Sequence, residues 1–448
     1  MRQIDHCSKV SSLNDKLSTS GISTGVSGPS GHHFYVHKGK LWAEWPLQEC
    51  NTDVSLATRR KEMKRPRVVV AMSGGVDSSV AALLLAQQGY EVVGVTMRLY
   101  SEENVQSSPL NRGCCTLEDT EDARRVCQII GARHYVLNFE KEFQEHVIDY
   151  FVREYQRGRT PHPCLACNDK IKFDFLLNRA LFLEADYIAT GHYARLEERD
   201  GMIKLLQGID PGKDQSYVLF TLTQNEMPRL LLPIGGYSKE AIRSLARDAD
   251  LPVADKPDSQ DICFIPADNY RAFLAQRVSP ASGDIVDTSG QVLGQHGGIE
   301  FFTVGQRRGL GISAPEARYV VSLDADQHQV IVGSWDDLLR QSLWASRVNY
   351  ITGMAPDVPK EVTAKIRYKA PQAGATLIPH GGWVELRFHE PQRAVTAGQP
   401  VVFYQGDEVL GGGIIESIGN RDTCPGGDEC TRCNAEFPNH LTAVVSSV

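Results

Sequence analysis

Two periodicities of apolar residues alternate between residues 66 and 222. Short β-branched runs, such as the one at 68–72, are typical of strands buried on both faces of a parallel sheet. Amphipathic stretches of helical period separate these runs. The alternation predicts a doubly wound parallel sheet, whose ligands bind beyond the carboxyl ends of its strands. The predicted strands are 68–72, 91–97, 134–137 and 186–190, and the predicted helices are 80–86, 121–130, 142–155 and 170–183.

The pattern changes twice beyond residue 222. Residues 223–281 predict a small helical or mixed domain, with helices at 239–248 and 269–277. From residue 282, short alternating runs separated by Gly and Pro predict an antiparallel β-barrel that ends near 418. Its predicted strands are 320–323, 329–332, 363–368, 383–388, 400–404 and 411–415. The predicted fold class is α/β, with a Rossmann-like domain at 66–222, the central domain at 223–281 and the barrel at 282–418.

The two ends of the chain differ from this pattern. Residues 1–64 are rich in Ser and Gly and lack sustained periodicity, which predicts a disordered or loosely ordered extension. Met63 lies a few residues before the first predicted strand and is a candidate initiator. A Ser-rich organellar transit peptide is the competing interpretation, and Asp5 and Asp15 weigh against it. Residues 419–448 form a polar tail.

Composition limits the partners and the location that the sequence predicts. A chain of 448 residues has room for two or three domains. A formal net charge of −8 does not indicate general nucleic-acid binding, so an RNA partner would need local basic patches. No apolar run approaches the roughly 20 residues that span a bilayer, and the N-terminal pattern does not predict secretion. The 11 cysteines cluster, which favours chemistry or metal in a reducing compartment, and a cytoplasmic location is expected.

The segment from Ser73 to Ser79, written SGGVDSS, lies between the first predicted strand and the first predicted helix. Its glycines allow a tight turn and a close approach of the backbone to a ligand. The N-terminus of the following helix offers free N–H groups and the positive end of the helix dipole. The segment therefore predicts a phosphate-binding loop, and a Gly/Ser connector without a ligand is the simpler alternative.

The loop lacks the residues that define two common classes of phosphate-binding loop. It has no lysine of the kind that a Walker loop uses, and it lacks the G-x-G-x-x-G of dinucleotide-binding proteins. What remains, S-G-G-x-D-S, resembles the PP-loop of ATP pyrophosphatases, which holds pyrophosphate while ATP is cleaved between the α- and β-phosphates. This resemblance implies that the loop binds ATP, with Mg²⁺ as the accompanying cation.

A second segment, TPHPCLACN at 160–168, places a C-x-x-C behind two prolines. The prolines restrict the backbone that approaches the cysteines, and the dipole of a following helix favours thiolate. Cys164 and Cys167 are expected to open the helix predicted from residue 170. A third cysteine, Cys263, lies in a short apolar run expected to be a strand, where a buried structural cysteine is the simpler interpretation.

Several motifs occur in one order across the three predicted domains. They are SGGVDSS at 73–79, TPHPCLACN at 160–168 with IKF at 171–173, ATGHY at 189–193, KDQSY at 213–217, ICFI at 262–265, GQRRGLG at 305–311 and GGGII at 411–415. In this combination, residues 66–417 resemble the tRNA-specific 2-thiouridylases, which are PP-loop ATP pyrophosphatases.

The resemblance implies thiolation of the wobble uridine of tRNA. ATP would adenylate the C2 oxygen of the base with release of pyrophosphate, and sulfur would then displace AMP. Cys167 would be the nucleophile, and Cys263 would carry a persulfide received from a sulfur-donor protein or sulfide; a disulfide is also implied. The residues implied to contact ATP are Ala71, Met72, Ser73, Gly74, Gly75, Val76, Asp77, Ser78, Met97 and Gly191. The residues implied to contact tRNA are His162, Pro163, Cys164, His192, Lys213, Asp214, Gln215, Arg367, Tyr368 and Gln399.

Among the residues implied to contact tRNA, residues 162–164 would lie against the target base. The implied acceptors are tRNAs for glutamate, glutamine and lysine.

One position departs from the family pattern, because the best-known members have aspartate where this chain has Cys164. Thiolates are soft ligands that suit iron. If Cys164, Cys167 and Cys263 converge, they could hold a [4Fe–4S] cluster with one iron open to sulfide. The persulfide route needs only Cys167 and Cys263, and both mechanisms stay open here.

Other charges and cysteines give weaker signals. Lys365, Arg367 and Lys369 alternate along a predicted strand and would share one face, which favours contact with RNA phosphate over a solvated edge strand. The pair Arg307 and Arg308 suits phosphate capture and ordinary loop charge equally. Cys114 and Cys115 are expected in a flexible loop, with a sulfur-handling pair as the alternative, and Cys127 is expected in the core. For the tail, a loose zinc knuckle is the alternative to disorder, with candidate ligands Cys424, Cys430, Cys433 and His440.

Two other classes of function remain as alternatives. A PP-loop synthetase that acts on a small-molecule acid would leave the cysteines beside the proline turn unexplained. A non-catalytic tRNA-binding protein would not need Asp77 and a complete loop. Release of AMP that depends on tRNA distinguishes thiolation from both.

Overall fold

The structure is a computed structural model that describes strands at 26–27, 33–37 and 40–44 and residues 65–100, 117–258, 262–265 and 269–417. The chain divides into two units, 1–64 and 65–448. The first unit contains a small antiparallel sheet that the sequence did not predict, formed by β1 (Val26–Ser27), β2 (His33–His37) and β3 (Lys40–Glu44). The interpretations of Cys114, Cys115, the rest of the extension and the cysteine tail lie outside the described residues.

The second unit contains helices, parallel strands and antiparallel strands. Its helices are α1 (Val76–Gln87), α2 (Leu117–Ile129), α3 (Glu140–Phe143), α4 (Asp149–Gln156), α5 (Pro163–Ala166), α6 (Leu176–Phe182), α7 (Lys239–Asp248) and α8 (Tyr270–Ala275). Two π-helical segments, Gln144–Ile148 and Cys167–Phe175, join α3 to α4 and α5 to α6. Its strands are β4 (Arg67–Ala71), β5 (Glu91–Arg98), β6 (Arg133–Asn138), β7 (Tyr187–Ala189), β8 (Ala194–Arg199), β9 (Met202–Gln207), β10 (Leu230–Leu231), β11 (Gly283–Asp287), β12 (Val292–His296), β13 (Tyr319–Asp324), β14 (Gln329–Gly333), β15 (Leu339–Tyr350), β16 (Lys360–Lys365), β17 (Ala373–His380), β18 (Trp383–Arg393), β19 (Pro400–Gln405) and β20 (Glu408–Ser417).

A five-stranded parallel sheet confirms the predicted α/β domain. Its strand order is β10-β7-β4-β5-β6, and every neighbouring pair is parallel. Val68, Val69 and Val70 in the central strand have no exposed surface. Because both faces of this strand are covered, its sequence is a continuous apolar run rather than an alternating one.

The helix that carries the C-x-x-C begins earlier than predicted. It starts at Pro163 instead of residue 170, and proline suits this first helical position because the N–H that it lacks would have no partner there. Cys164 and Cys167 therefore lie inside the first turns of the helix. The strand predicted around Cys263 was also wrong, because residues 262–265 form a turn in which Ile265 N donates to Ile262 O at 2.9 Å. The predicted chemical role of Cys263 stays a prediction.

The region predicted as one barrel contains two sheets. Strands β11 to β14 form a separate four-stranded sheet of order β12-β11-β14-β13, and its β11–β14 pair is parallel. Six antiparallel strands, in the order β15-β18-β17-β16-β19-β20, close into the C-terminal barrel through the pairing of β15 with β20. The β8–β9 hairpin extends this sheet by pairing with β20. The domain bounds given above stay a prediction.

One hydrophobic core connects the parallel sheet, its helices and the C-terminal barrel. It includes Val69 from the parallel sheet, Phe151 from α4, Leu222, Phe273 from α8 and Tyr404 from the barrel. None of the described helices has the length and apolar character that a bilayer-crossing segment requires.

Candidate active site

The predicted phosphate loop lies between β4 and α1 at the carboxyl end of the parallel sheet. Gly75 is the N-cap of α1, so Asp77 and Ser78 lie in the first helical turn. The Ser78 hydroxyl lies 3.2 Å from both the backbone nitrogen and the hydroxyl of Ser73, and the Ser79 hydroxyl donates to Gly75 O at 2.8 Å. No side chain caps the start of α1, which leaves its first N–H groups available to an anion.

Two glycines allow other segments to pack directly on this loop. Gly74 has a φ of +71°, and a Cβ on it would lie 2.3 Å from Asp119 O in α2. A Cβ on Gly191, which follows β7, would lie 2.7 Å from Ser78 N. Met97, near the end of β5, is 9% exposed. Residues 71–78, Met97 and Gly191 therefore lie at the ends of neighbouring strands, and their contact with ATP stays a prediction.

Asp77 is the centre of a network of charged and polar groups. Tyr193 donates its hydroxyl hydrogen to Asp77 Oδ1 at 2.7 Å, and Lys239 Nζ lies 2.8 Å from the same oxygen. Burial raises the pKa of Tyr193, as does its hydrogen bond to the Asp77 carboxylate, so this phenol stays protonated. The Lys239 ammonium also contacts Asp258 Oδ1 at 2.7 Å.

Asp258 in turn binds two further cations. Lys213 Nζ lies 2.6 Å from Asp258 Oδ2, and the Arg243 guanidinium lies 3.0 Å from Oδ1. Burial acts to raise the pKa of Asp258, but the hydrogen bonds from Lys213 and Lys239 outweigh it and lower the pKa to about 2. The carboxylate is therefore charged throughout the physiological range.

The turn that precedes Cys164 is held against the barrel by hydrogen bonds. Thr160 N donates to Ala397 O at 2.9 Å, and Gln399 Nε2 donates to Thr160 O at 2.9 Å and to Pro161 O at 3.2 Å. Gly398 has a φ of +88°, and a Cβ on it would lie 3.0 Å from Thr160 O. The barrel therefore fixes the approach to the C-x-x-C.

Aromatic rings surround the same turn. The ring centroid of Tyr217 lies 5.9 Å from that of His162 and 6.2 Å from that of Tyr368. Burial lowers the pKa of His162 to about 4, so its imidazole is neutral at physiological pH. Burial raises the pKa of Tyr368, and the negative charges of Asp214 and Cys164 contribute to this shift. The fold thus brings together His162, Cys164, Tyr368 and Gln399, four residues predicted to contact tRNA.

His192 is buried rather than presented on the surface. It is 6% exposed, and its Nδ1 lies 2.7 Å from Thr190 Oγ1. Its Nε2 lies 3.4 Å from Lys172 Nζ, which belongs to the IKF motif. Burial lowers the pKa of His192 well below its ordinary value, and the Lys172 charge adds to this effect.

The segment 213–215 makes intramolecular contacts through each side chain. Lys213 pairs with Asp258 as described above. Asp214 is buried and accepts hydrogen bonds from Gly208 N at 3.1 Å and from Ser216 N at 3.1 Å. Gln215 Oε1 accepts from Tyr193 N at 3.0 Å. These contacts give the segment a structural role, and its contact with tRNA stays a prediction.

The three basic residues at 365–369 do not share a strand. β16 ends at Lys365, and the following residues form a turn in which Ala370 N donates to Arg367 O at 3.1 Å. Lys365 points inward, since its side chain is 14% exposed and its Nζ lies 3.6 Å from Asp214 Oδ2. Arg367 and Lys369 are exposed. The prediction of one common face was wrong, and only these last two side chains are available at the surface.

Cys263 lies on the same core as the C-x-x-C. Cys167 and Cys263 both pack against the core cluster that includes Ala71 and Met97 at the sheet end. Tyr100 donates its hydroxyl hydrogen to Cys263 O at 2.8 Å. The next residue, Phe264, packs edge-on against Phe143 and Phe151 with ring centroids 5.7 Å and 5.4 Å apart. This aromatic packing explains why the apolar run around Cys263 is buried without being a strand.

Comparison with known proteins identifies the family. Family models match three consecutive segments: the tRNA methyl transferase HUP domain at 66–267, the tRNA methyl transferase PRC-barrel domain at 271–334 and the aminomethyltransferase beta-barrel domain at 340–415. The tRNA-specific 2-thiouridylase MnmA of Pelotomaculum thermopropionicum is 48% identical over 362 residues, which are 80% of this chain and 99% of that protein. The chain belongs to the tRNA-specific 2-thiouridylase family.

Other relatives agree with membership of the 2-thiouridylase family. The tRNA-specific 2-thiouridylase MnmA of Geobacter metallireducens is 50% identical over 362 residues, which cover 80% of this chain and 98% of that protein. Among solved structures, the U34-tRNA thiolase NcsA from Methanococcus maripaludis with its [4Fe-4S] cluster has 14% identity and a TM-score of 0.29, and the match covers 49% of this chain and 67% of that one. That likeness is too distant to bear on function.

The structure of this 2-thiouridylase family member does not support the predicted iron–sulfur cluster site. Within the described part of the chain, no group of three or more His, Cys, Asp or Glu side chains is arranged to hold a metal ion. Cys164 is exposed, whereas Cys167 and Cys263 are partly buried. The three cysteines therefore do not fit a cluster in this arrangement of the side chains.

The sequence analysis of this 2-thiouridylase family member missed Lys239, which pairs with Asp77 and Asp258. Helix α7 was predicted with the correct bounds, but its first residue was not singled out. One local signal was present, because a cation at the N-terminus of a helix opposes the helix dipole and needs negative partners nearby. Those partners, Asp77 and Asp258, are remote in sequence.

Proposed function

We propose that the protein is a tRNA-uridine 2-sulfurtransferase that thiolates the wobble uridine of tRNA and converts ATP to AMP and pyrophosphate. One observation carries this function: Tyr100, which follows β5 and Met97 at the sheet end, donates a hydrogen bond to Cys263 O at 2.8 Å, and Cys167 packs against the same core as Met97 and Cys263. Such a core suits a reaction in which a nucleotide and sulfur act on the same base. A small-molecule synthetase would not need these cysteines.

In the first step, the C2 oxygen of uridine attacks the α-phosphorus of ATP and pyrophosphate leaves. The first N–H groups of α1 and the hydroxyls of Ser73 and Ser78 are the groups that would stabilise the phosphates. Mg²⁺ binds through few protein carboxylates together with nucleotide phosphates, and Asp77 is the carboxylate of the loop. ATP and Mg²⁺ are therefore the proposed ligands of this end of the sheet.

In the second step, we favour the persulfide route over the iron–sulfur cluster, since the described residues form no three-ligand group. The terminal sulfur of a Cys263 persulfide attacks C2, and the C–O bond to AMP breaks. Cys167 thiolate then attacks the Cys263 sulfur, which leaves sulfur on the base and a disulfide between the two cysteines. A sulfur-donor protein transfers persulfide sulfur to the Cys263 thiolate once an external thiol has reduced the disulfide. Alternatively, hydrosulfide attacks the Cys263 sulfur of the disulfide, the S–S bond breaks, Cys167 leaves as thiolate and Cys263 becomes the persulfide.

The proposed tRNA surface surrounds the turn before Cys164. His162, Tyr368 and Gln399 lie around this turn, and Arg367 beside them is exposed. The partly exposed rings of His162 and Tyr368 suit an unstacked base, because RNA loops are recognised through bases that leave the stack and lie against aromatic side chains. Acceptors for glutamate, glutamine and lysine, and a cytoplasmic location, belong to the same proposal.

The decisive experiment is mass analysis of the wobble uridine after unmodified tRNA is incubated with the full chain, ATP and a sulfide source. Thiolation with release of AMP is expected for the wild-type protein, and none is expected for Cys167→Ala. Cys127→Ala is the matched control, because Cys127 is fully buried and burial raises its pKa to about 11. This variant should keep its activity.

Three results of these assays would contradict the proposal. AMP release that depends on a small acid instead of tRNA would favour the synthetase, and no turnover would favour a tRNA-binding protein.

Anaerobic purification followed by iron and acid-labile sulfide analysis separates the two sulfur routes. An iron-free protein that thiolates tRNA ends the cluster alternative, whereas activity that depends on bound iron ends the persulfide route.

A further inference from the structure

A lysine from outside the phosphate loop reaches the aspartate of that loop. Lys239 Nζ lies 2.8 Å and 2.9 Å from the two carboxylate oxygens of Asp77. Lys239 is the first residue of α7, and Ser238 is the N-cap of this helix. The loop itself, 73–79, contains no lysine. An ammonium is thus supplied to the loop by a distant helix.

This ammonium is held on several sides. The Lys239 side chain is 11% exposed, and its Nζ contacts Asp258 Oδ1 at 2.7 Å. It also lies 5.9 Å from the ring centroid of Tyr193, whose hydroxyl binds Asp77. Two carboxylates and one aromatic ring therefore fix its position beside the first turn of α1.

The charges around Lys239 leave it able to bind a second anion. Asp258 also binds Lys213 and Arg243, so three cations face the two carboxylates of Asp77 and Asp258. If the ammonium moves toward a phosphate, Lys213 and Arg243 remain on Asp258. Asp258 then keeps two cations, and Asp77, whose side chain is 33% exposed, keeps its hydrogen bond from Tyr193.

We propose that Lys239 is a phosphate-binding residue that contacts the β- and γ-phosphates of ATP, and that Asp258 is the residue that positions it. This inference rests on the proposed function in taking ATP as the nucleotide. The chemistry that it needs is that of any polyphosphate: several negative oxygens close to the N–H groups of α1 and to one ammonium. AMP, which lacks the β- and γ-phosphates, would not contact Lys239.

The test compares the binding of Mg-pyrophosphate, Mg-ATP and AMP to the full chain by isothermal titration calorimetry. Lys239→Met keeps the length of the side chain and removes its charge. We expect it to weaken pyrophosphate and ATP binding by about tenfold or more, the effect of losing one charge-assisted hydrogen bond, and to change AMP binding by less than about twofold. Lys239→Arg should restore most of the lost affinity.

A matched control and a double variant sharpen this test. Lys204→Met removes another partly buried lysine, which is 19% exposed and pairs with Glu408 at 3.1 Å, and it should leave all three affinities unchanged. Asp258→Asn should weaken pyrophosphate binding, whereas Asp258→Glu should largely preserve it. Because Asp258 acts through Lys239, the K239M/D258N double variant should bind pyrophosphate no more weakly than K239M alone.

Pyrophosphate and ATP affinities that stay within about twofold of wild type in K239M would overturn the inference, since no charge-assisted bond would then have been lost. An equal loss for AMP would overturn it as well, because the lysine would then be only structural. If circular dichroism shows that K239M does not fold, Lys239→Gln is titrated in its place against the same criteria. Failure of the proposed function is distinct: a wild-type protein that binds ATP but leaves uridine unthiolated refutes thiolation, and the binding data still decide the role of Lys239.

Discussion

His162 illustrates how single residues of the site are kept in one protonation state. Its ring lies next to that of Tyr217. His162 is also the N-cap residue of the helix that carries Cys164 and Cys167. Burial lowers the pKa of this imidazole to about 4. A neutral ring beside the proposed base site suits stacking against a nucleobase.

We expect His162 to make stability depend on pH. The unfolded ring binds a proton below its ordinary pKa of 6.5, whereas the folded ring binds one only near pH 4. The unfolded state therefore holds more protons in this window, and the free energy of unfolding falls as the pH decreases from 6.5 to about 4, by at most about 1.4 kcal/mol per pH unit. Urea denaturation of wild type and His162→Gln at several pH values measures this contribution.

The contribution of His162 is the difference between wild type and His162→Gln in the slope of unfolding free energy against pH. A difference is needed because His192 is also buried and contributes to the wild-type slope. His389→Gln removes a half-exposed histidine of the barrel and serves as the control. Identical slopes for wild type and His162→Gln across this range would show that His162 does not titrate as described.

At the scale of elements, a buried ion cluster ties helix α4 to strand β20. Arg159 Nε lies 2.7 Å from Glu154 Oε2, and the Arg159 guanidinium also binds Glu416. The side chains of Arg159 and Glu154 are 11% and 5% exposed. The next residue, Thr160, is the one that binds Ala397 of the barrel. This cluster therefore sets where the cysteine turn meets the barrel.

Replacement of Arg159 with Met should be strongly destabilising. Glu416 would lose its cation, and Glu154 would keep only Arg157, which lies 3.1 Å from Glu154 Oε1. Removal of one partner from a buried ion pair costs about 3–5 kcal/mol. Urea denaturation should report a loss of this size. Arg199→Met is the control, because its pair with Glu197 is exposed and such pairs contribute less than about 1 kcal/mol.

A loss in Arg159→Met no larger than in the control would mean that the cluster is solvated. A second expectation concerns the site itself: thiolation should decrease in Arg159→Met even under conditions where the protein stays folded. Circular dichroism at the assay temperature separates this effect from unfolding.

Some elements could be predicted from local sequence and others could not. Helix α7 was predicted from its helical pattern, and the structure shows that Ser238 caps its start by accepting a hydrogen bond from Ala241 N. The start of the Cys164 helix was missed because two prolines were taken as a break, although Pro163 can begin a helix. The turn at Cys263 was missed because an apolar run does not reveal which side chains will cover it.

At the scale of the whole molecule, the fold class followed from periodicity, but the long-range pairings did not. The parallel sheet was evident from runs such as 68–70, which are buried on both faces. The closure of the barrel through β15 and β20 and the parallel β11–β14 pair depend on partners far apart in the chain. The same limit applies to the site, since the lysine at Asp77 comes from α7.

We expect a chain that begins at Met63 to keep the binding properties of the full chain. Residues 65–448 form a unit of their own, and the family models begin at residue 66. Titration calorimetry should therefore give the same ATP affinity within about twofold. Thermal unfolding of the shortened chain checks that it is folded, and a large loss of ATP affinity in a folded protein would contradict the expectation.

The hairpin formed by β8 and β9 has a consequence for how the protein is made. Its partner, β20, is the last strand described, so Leu206 pairs with Glu408 across a long interval of chain. During synthesis on the ribosome, the edge of β9 stays unpaired until residues 408–417 have emerged. A nascent chain that stalls before this point would display an open strand edge, which chaperones recognise and which can pair with other chains.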